Sequence, residues 1–461
     1  MAALAISSVS SQRIESLVSR ERERFAAAHP ESRALAEQSR AHWLNGVPMH
    51  WMLDWGTAYP LFVRSAEGVH LVDADGHEYI DFCLGDTGAM FGHSPPPVTR
   101  AIVTQAARGL TCMLPAERVA DVGARLSELF GLPYWQIAQT ATDANRYALR
   151  WCRAVTGRGK ILAFQGCYHG TVDETLVRLI GGRTVPRPGL IGPVFDNAAA
   201  TTLVEFNDLA ALERELTTRQ YACVIAEPVM TNIGMVLPVP GYLAALRELT
   251  RRTETLLLID ETHTLSSGLG GYTGVHGLAP DLLVCGKAIA GGLPCAVFGF
   301  TAEVDARIQR LLANRAGGHS GMGTTLAANP LAVAALDANL TQVMMADTYA
   351  LMLASAERLE RELARVFAAH RLNWHIARVG ARLEFGFAAQ PPRNGTESEA
   401  AMRPELEQAM HLYLLNRGLL LTPFHNMMLC SPLTTAAHVE RLASEIEACL
   451  GELGVGASVT H

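Results

Sequence analysis

Two stretches carry the residue types that could do chemistry, Asp260-Glu261-Thr262-His263 and Cys285-Gly286-Lys287-Ala288. The chain has 38 basic residues, of which only two are lysines, Lys160 and Lys287. Lys160 lies in an ordinary basic turn, Arg158-Gly159-Lys160. Lys287 follows the apolar run Leu282–Cys285 and precedes a Gly/Ala-rich segment that permits close backbone approach. An amine there is chemically useful because it can lose its proton and attack a carbonyl, which a guanidinium cannot do. Asp260 closes the most apolar strand in the chain, Thr255-Leu-Leu-Leu-Ile-Asp260. Ligands of open α/β sheets collect at the carboxyl ends of strands, so Asp260 and Lys287 can face one crevice. The plainer alternative is a structural ion pair.

The chemical reading is that Lys287 is a Schiff-base lysine for pyridoxal 5'-phosphate, with Asp260 holding a proton on the pyridine nitrogen. That cofactor also needs a dianion cradle. Gln139-Thr140-Ala141-Thr142-Asp143 joins a strand end to a helix start, where unpaired N–H groups and the helix dipole favour phosphate. A simple N-cap explains the same residues. Tyr168, in Cys167-Tyr168-His169-Gly170, offers a face on which a flat ring can stack, and it reads equally as a core or surface aromatic.

The elements that position these residues alternate along the chain. Arg-, Glu- and Ala-rich residues 12–43 read as two polar helices broken at Pro30, and residues 69–82 as a hairpin around the Asp73-x-Asp75-Gly76 turn. From about Val98, helices near 116–130 and 143–155 alternate with apolar strands at 160–164, 222–226, 255–260 and 282–285. This pattern predicts a mostly parallel sheet covered on both faces. A helical tract after Pro330, strands over 374–387, a polar surface loop at 390–397 and a helix–strand–helix ending complete the chain. The expected division is 1–97 as N-terminal segment and part of a small domain, 98–330 as the large cofactor-binding domain, and 331–461 as the C-terminal small domain.

Composition narrows the class. A net charge of −7 argues against nucleic acid and acidic membranes as partners. Nine scattered cysteines without a Cys-x-x-Cys pair fit reduced thiols rather than a disulfide frame or zinc cluster. Residues 1–6 lack the basic start of a signal peptide, and no apolar run has membrane-spanning length. The expectation is a cytoplasmic protein.

The ordered series Thr140-Ala-Thr-Asp-Ala, Tyr168-His-Gly, Glu227-Pro-Val, Asp260-Glu-Thr, Gly286-Lys and Thr325-Leu-Ala-Ala-Asn-Pro330 resembles the class III aminotransferases. It is most similar to their glutamate-1-semialdehyde aminomutase and β-amino-acid aminotransferase branch, over nearly the whole chain. The resemblance implies an α/β fold of type I, with a large domain and a smaller α+β domain built from both chain ends. By position it implies Lys287 as the Schiff-base lysine and Asp260 at the pyridine nitrogen. Thr140, Ala141 and Thr142 become the phosphate loop, Tyr168 the stacking aromatic, and Thr262 the residue under the ring. Asn232, in Glu227-Pro-Val-x-x-Asn232, reaches the ring hydroxyl, and Thr325 contacts phosphate across a homodimer with shared sites.

Three departures stand out. Ala141 replaces a usual Gly, and Thr262 a usual Val. The run Gly46-Val-Pro-Met-His-Trp-Met52 lacks the Arg that the branch uses to grip a substrate carboxylate. His50, Trp51 and Met52 are therefore the candidate substrate residues, with Met49 beside them and Met427 and Met428 as further lining; ordinary packing is the alternative. The expected activity is a ping-pong transaminase moving an amino group between an amine or amino acid donor and a keto acceptor. The alternatives are an intramolecular aminomutase and a catalytically silent cofactor-binding protein. A nicotinamide dehydrogenase is disfavoured, because no Gly-x-Gly-x-x-Gly joins a strand to a helix.

Overall fold

The computed structural model describes residues 9–193, 195–315 and 317–455. The leader argument from residues 1–6 therefore lies outside the described residues. The chain divides into two compact units. One comprises residues 1–94, 350–391 and 401–461, and the other residues 95–349 and 392–400.

The second unit is built on a seven-stranded sheet. Its order is Tyr134–Ala138, Ala296–Phe300, Leu282–Cys285, Leu256–Asp260, Tyr221–Ala226, Lys160–Phe164 and Thr201–Val204. Only Ala296–Phe300 runs antiparallel to its neighbours; the ladders between the remaining adjacent pairs are parallel. The central strands are buried from end to end, which explains why they read as continuous apolar runs rather than alternating ones. Helices Ala141–Thr156, Leu209–Thr217, Tyr242–Arg252 and Ala302–Ala313 each turn an apolar stripe to the unit's core. At the close crossing of Gly299 and Trp135, a Cβ on Gly299 would come within 2.8 Å of three indole ring carbons, so no larger residue fits.

The first unit takes both chain ends. The expected polar helices are Ser11–Ala28 and Pro30–Ser39, divided at Pro30 as the sequence predicts. The predicted hairpin pairs His70–Asp73 with Glu78–Asp81, within a four-stranded sheet that Leu419–Leu420 joins in parallel. His375–Val379, Arg382–Gly386 and Met427–Leu429 form an antiparallel three-stranded sheet.

Two parts of the expected division differ. The large unit extends past 330 through helix Pro330–Ala338 and a π-helical turn, Asn339–Val343. The small unit is therefore resumed near 350 rather than 331. The polar loop at 390–397 is no plain surface connection. Helix Gly395–Ala401 begins within it, and Gly395 is buried so closely against Gln165 that a Cβ would fall 2.1 Å from the Gln165 carbonyl oxygen. No helix among the described residues is long and apolar enough to cross a membrane.

Candidate active site

The strand Leu256–Asp260 delivers Asp260 to the carboxyl edge of the sheet, where its side chain is buried. Oδ2 accepts hydrogen bonds from Asn145 Nδ2 at 2.8 Å and His169 Nδ1 at 3.0 Å. Oδ1 accepts from the Thr262 N–H at 3.1 Å. Burial alone would raise the Asp260 pKa. The hydrogen bond and charge of His169, helped by Thr262 and Asn145, outweigh it and hold the carboxyl below its ordinary value. Burial likewise opposes charge on His169, but Cys167 and Asp260 reverse the balance and lift its pKa well above the usual imidazole value. The edge of the sheet thus keeps a carboxylate ionised in a dry environment.

The adjacent strand, Leu282–Cys285, delivers the lysine. Lys287 follows Gly286 and starts a one-turn helix, Lys287–Ala290, in the left-handed backbone region at φ +50°. A side-chain residue held there carries strain, a condition found at working sites. Its Nζ lies 2.9 Å from His263 Nε2. Gly286 lets this turn pack closely on the helix start, since a Cβ there would stand 2.8 Å from Ala141 Cβ. Asn339 pins the lysine turn by donating to the carbonyls of Ala288 (3.0 Å) and Ile289 (2.8 Å). Lys160, by contrast, is exposed at the start of its strand.

Thr140 caps helix Ala141–Thr156: its hydroxyl accepts from the Asp143 N–H at 3.1 Å and donates to the Asp143 carboxylate at 3.0 Å. The Thr142 hydroxyl accepts from the Thr171 N–H at 3.1 Å. Gly170, at φ +77°, makes room for that hydroxyl, because a Cβ would fall 2.0 Å from it. The start of this 16-residue helix is therefore braced by the Tyr168–Thr171 loop, leaving its positive dipole end framed by small residues. Thr324 donates to Gln139 Oε1 at 2.8 Å, which ties the neighbouring, exposed Thr325 to the segment preceding the cap.

Glu227 is buried. Its carboxyl accepts from Thr231 Oγ1 at 2.6 Å and, more distantly, from the Tyr168 N–H at 3.4 Å. Burial raises its pKa, against the lowering influence of His169 and Thr231. Tyr168 is partly exposed, and Asn232 is half-buried on the segment that follows Thr231. Three buried polar atoms around Asp260 have no hydrogen-bond partner among the described residues: Thr262 Oγ1, His169 Nε2 and Asn145 Oδ1. Such atoms call for a ligand or water to satisfy them.

The second unit thus contains every residue expected at the cofactor: Thr140, Ala141, Thr142, Tyr168, Glu227, Asn232, Asp260, Thr262, Lys287 and Thr325. It links Asp260 to Thr262, Tyr168 to Glu227, and Gly286, the neighbour of Lys287, to Ala141. His50, Trp51 and Met52 lie in the first unit, on the short turn His50–Leu53, with His50 and Trp51 exposed. Met427 and Met428 do not line a surface for substrate. Both are buried in the strand Met427–Leu429, paired with Arg382–Gly386, and Met427 sulfur meets the buried Arg382 guanidinium. Three residues were missed as site members in the sequence: Asn145, His169 and Asn339. His169 stands inside a motif quoted for its neighbour, Asn145 directly follows another, and nothing local marks the third.

The profile of the family "Aminotransferase class-III" matches residues 52–450. Glutamate-1-semialdehyde 2,1-aminomutase of Nitrosospira multiformis is 33% identical over 370 residues, covering 79% of this chain and 85% of that protein. A crystal structure of a glutamate-1-semialdehyde aminomutase from Pseudomonas aeruginosa PAO1 superposes with a TM-score of 0.94 at 49% identity, covering 96% of this chain and 99% of the other. A second structure of that enzyme, with one lysine replaced by alanine, holds PMP. A β-phenylalanine aminotransferase from Variovorax paradoxus gives a TM-score of 0.85 at 26% identity, covering 96% and 98% of the two chains.

Proposed function

This chain belongs to the class-III aminotransferases, pyridoxal-phosphate enzymes of fold type I, and we propose that it acts among them as an intramolecular aminomutase of the glutamate-1-semialdehyde type. The observation that carries this reading is the 49% identity, over 96% of the chain, to the Pseudomonas aminomutase structure. That similarity favours a mutase over the ping-pong transaminase expected from the motifs.

The residues present fit the cofactor. A buried carboxylate kept ionised suits a protonated pyridine nitrogen, and the unpartnered Thr262, His169 and Asn145 atoms mark a polar site that protein alone leaves unsatisfied. When bound, pyridoxal phosphate supplies a cationic ring that stabilises negative charge on a substrate carbon. Lys287 would hold it through Nζ, and Asp260 would keep the nitrogen protonated while His169 and Asn145 orient that carboxylate. Thr140, Ala141 and Thr142 would bind phosphate at the helix start. Tyr168 would cover one face of the ring and Thr262 the other. Glu227 and Asn232 would flank the ring hydroxyl, and Thr325 would reach the phosphate of a second copy's site in a homodimer. Released from the cofactor, Lys287 Nζ would carry a proton between the two substrate carbons, with His263 Nε2 2.9 Å away to share it.

A second reading, transamination of amines without a carboxylate grip, is supported by the absence of Arg from residues 46–52. The two separate in one experiment. The amino form of the purified enzyme is given 15N-labelled glutamate-1-semialdehyde and no second substrate. An aminomutase turns over repeatedly and, after a first equivalent that carries the cofactor's unlabelled nitrogen, releases an isomer of the same mass. A transaminase releases one equivalent of a new diamine and stops until an amine donor is added. No reaction with this substrate, together with sustained turnover of an aromatic or aliphatic amine and a keto acid, would establish the second reading.

A further inference from the structure

In the first unit three metal-competent side chains converge at the base of the hairpin. His29 stands between helices Ser11–Ala28 and Pro30–Ser39, Asp73 ends its strand, and His77 precedes the next. Asp73 Oδ2 lies 3.3 Å from His29 Nε2 and 3.0 Å from His77 Nδ1. The three ligand atoms all fall within 4.8 Å of one another. Zinc bonds of roughly 2.0–2.1 Å place the corners of a tetrahedron about 3.3 Å apart; the two Asp73 separations match that spacing, and the exposed His77 side chain can turn to close the third edge.

The surroundings also favour a cation. The Phe25 carbonyl, 2.7 Å from His29 Nδ1, accepts that nitrogen's proton, so a neutral ring presents the Nε2 lone pair toward Asp73. This is the outer-shell arrangement that orients ligating histidines in metal proteins. His29 and Asp73 are buried while the His77 side chain is 44% exposed, so the inner ligands are fixed and an ion has a route in. The Tyr79 hydroxyl lies 2.8 Å from Asp73 Oδ2 and 2.9 Å from His29 Nε2, yet it has a single proton for two acceptors. Asp75, two residues on, does not compete: its oxygens accept from Glu31 N, Ser32 N and Ser32 Oγ.

We propose that His29 Nε2, Asp73 Oδ2 and His77 Nδ1 form a binding site for a divalent transition-metal ion of zinc type. Water takes the fourth position, with the Tyr79 hydroxyl beside it. The ion would fasten the junction of the two N-terminal helices to the hairpin, a structural role separate from the reaction.

The test uses the untagged, full-length, cofactor-loaded protein, stripped with chelator and titrated with zinc by equilibrium dialysis and metal analysis. One zinc per chain is expected in wild type and in Cys112→Ser, which removes an exposed thiol. In His77→Ala the affinity should fall by about 100-fold or more, beyond the 10- to 100-fold typical of losing an outer-shell partner. Because His77 is exposed, this variant should retain wild-type melting in chelator and wild-type turnover. Cobalt in the wild-type site should give the intense visible bands of tetrahedral coordination. Equal zinc affinity in wild type and His77→Ala, loss of zinc in Cys112→Ser, or cobalt bound without those bands would overturn the proposal and leave a proton-sharing His–Asp–Tyr network.

Discussion

Lys287 Nζ and His263 Nε2 meet at 2.9 Å, from the ends of two adjacent parallel strands. The contact depends on the turn after Asp260. Buried Glu261 fixes that turn by accepting from Thr264 Oγ1 (2.5 Å), Tyr272 N (3.1 Å) and Thr273 N (2.6 Å). In the proposed reaction His263 would take a proton from the lysine or return it, and the contact holds the flexible chain in one direction.

Replacing His263 by Ala should therefore lower kcat by about 10- to 100-fold, at or below the lower end of what a positioned acid–base group supplies. Cofactor content should not change, since His263 is proposed to act on the lysine rather than to bind phosphate. The alkaline limb of the kcat–pH profile should move as well. Unchanged kcat and pH profile in a fully loaded His263→Ala protein would remove His263 from proton handling.

The Asp260–His169 pair makes a signed prediction about apo-protein stability. Asp260 is depressed below its ordinary 3.8, so its contribution is present above that pH and lost as pH falls through the lower folded value. His169 is raised above its ordinary 6.5, so its contribution is complete below 6.5 and lost as pH rises through the higher folded value. The pair should thus support the fold most between about pH 4 and 6.5. His169→Gln should lower Tm most in that window, the loss of one buried partner costing about 3–5 kcal/mol. Differential scanning calorimetry from pH 4 to 9 checks this. A Tm loss that grows steadily with alkaline pH contradicts it.

Glu407 in the first unit behaves in the opposite sense. Burial, then the charge of Glu384, pushes its pKa up to about 7, from an ordinary 4.5. A folded state that holds a proton the unfolded chain releases loses stability as pH rises from 4.5 to 7, and the cost persists above. Glu407→Gln should therefore gain about 1–3 kcal/mol at pH 8 and nothing near pH 4.5. Urea titrations at the two pH values read the difference directly; a variant weaker than wild type at pH 8 would refute the assignment.

How much of this was legible in sequence follows from what local pattern encodes. Asp260 and Lys287 could be found because each terminates an apolar run, and a strand end in a parallel sheet is where ligands gather. The Asp73-x-Asp75-Gly76 turn announced its hairpin for equally local reasons. Asn145 and His169 escaped because their importance lies in a shared acceptor, Asp260, that is 115 and 91 positions away. Asn339 escaped for the same reason, 50 residues beyond the carbonyls it pins. Met427 and Met428 were misread because a three-residue strand is too short to show a period, and methionine suits a pocket lining and a packed core alike. The loop at 390–397 misled through composition: Pro and Gly signal a turn, but Gly395 is there for the close approach to Gln165. The expected division at 330 failed because Pro330 begins a helix of the large unit instead of leaving it.

Because the chain has only two lysines, the central claim reduces to a choice between them. The protein is loaded with pyridoxal phosphate, reduced with borohydride, digested and mapped by mass spectrometry. The account predicts one phosphopyridoxyl group per chain, on the peptide containing Lys287, with Lys160 unmodified and the group absent from Lys287→Ala. A group on Lys160, or none on Lys287 in fully loaded protein, contradicts it.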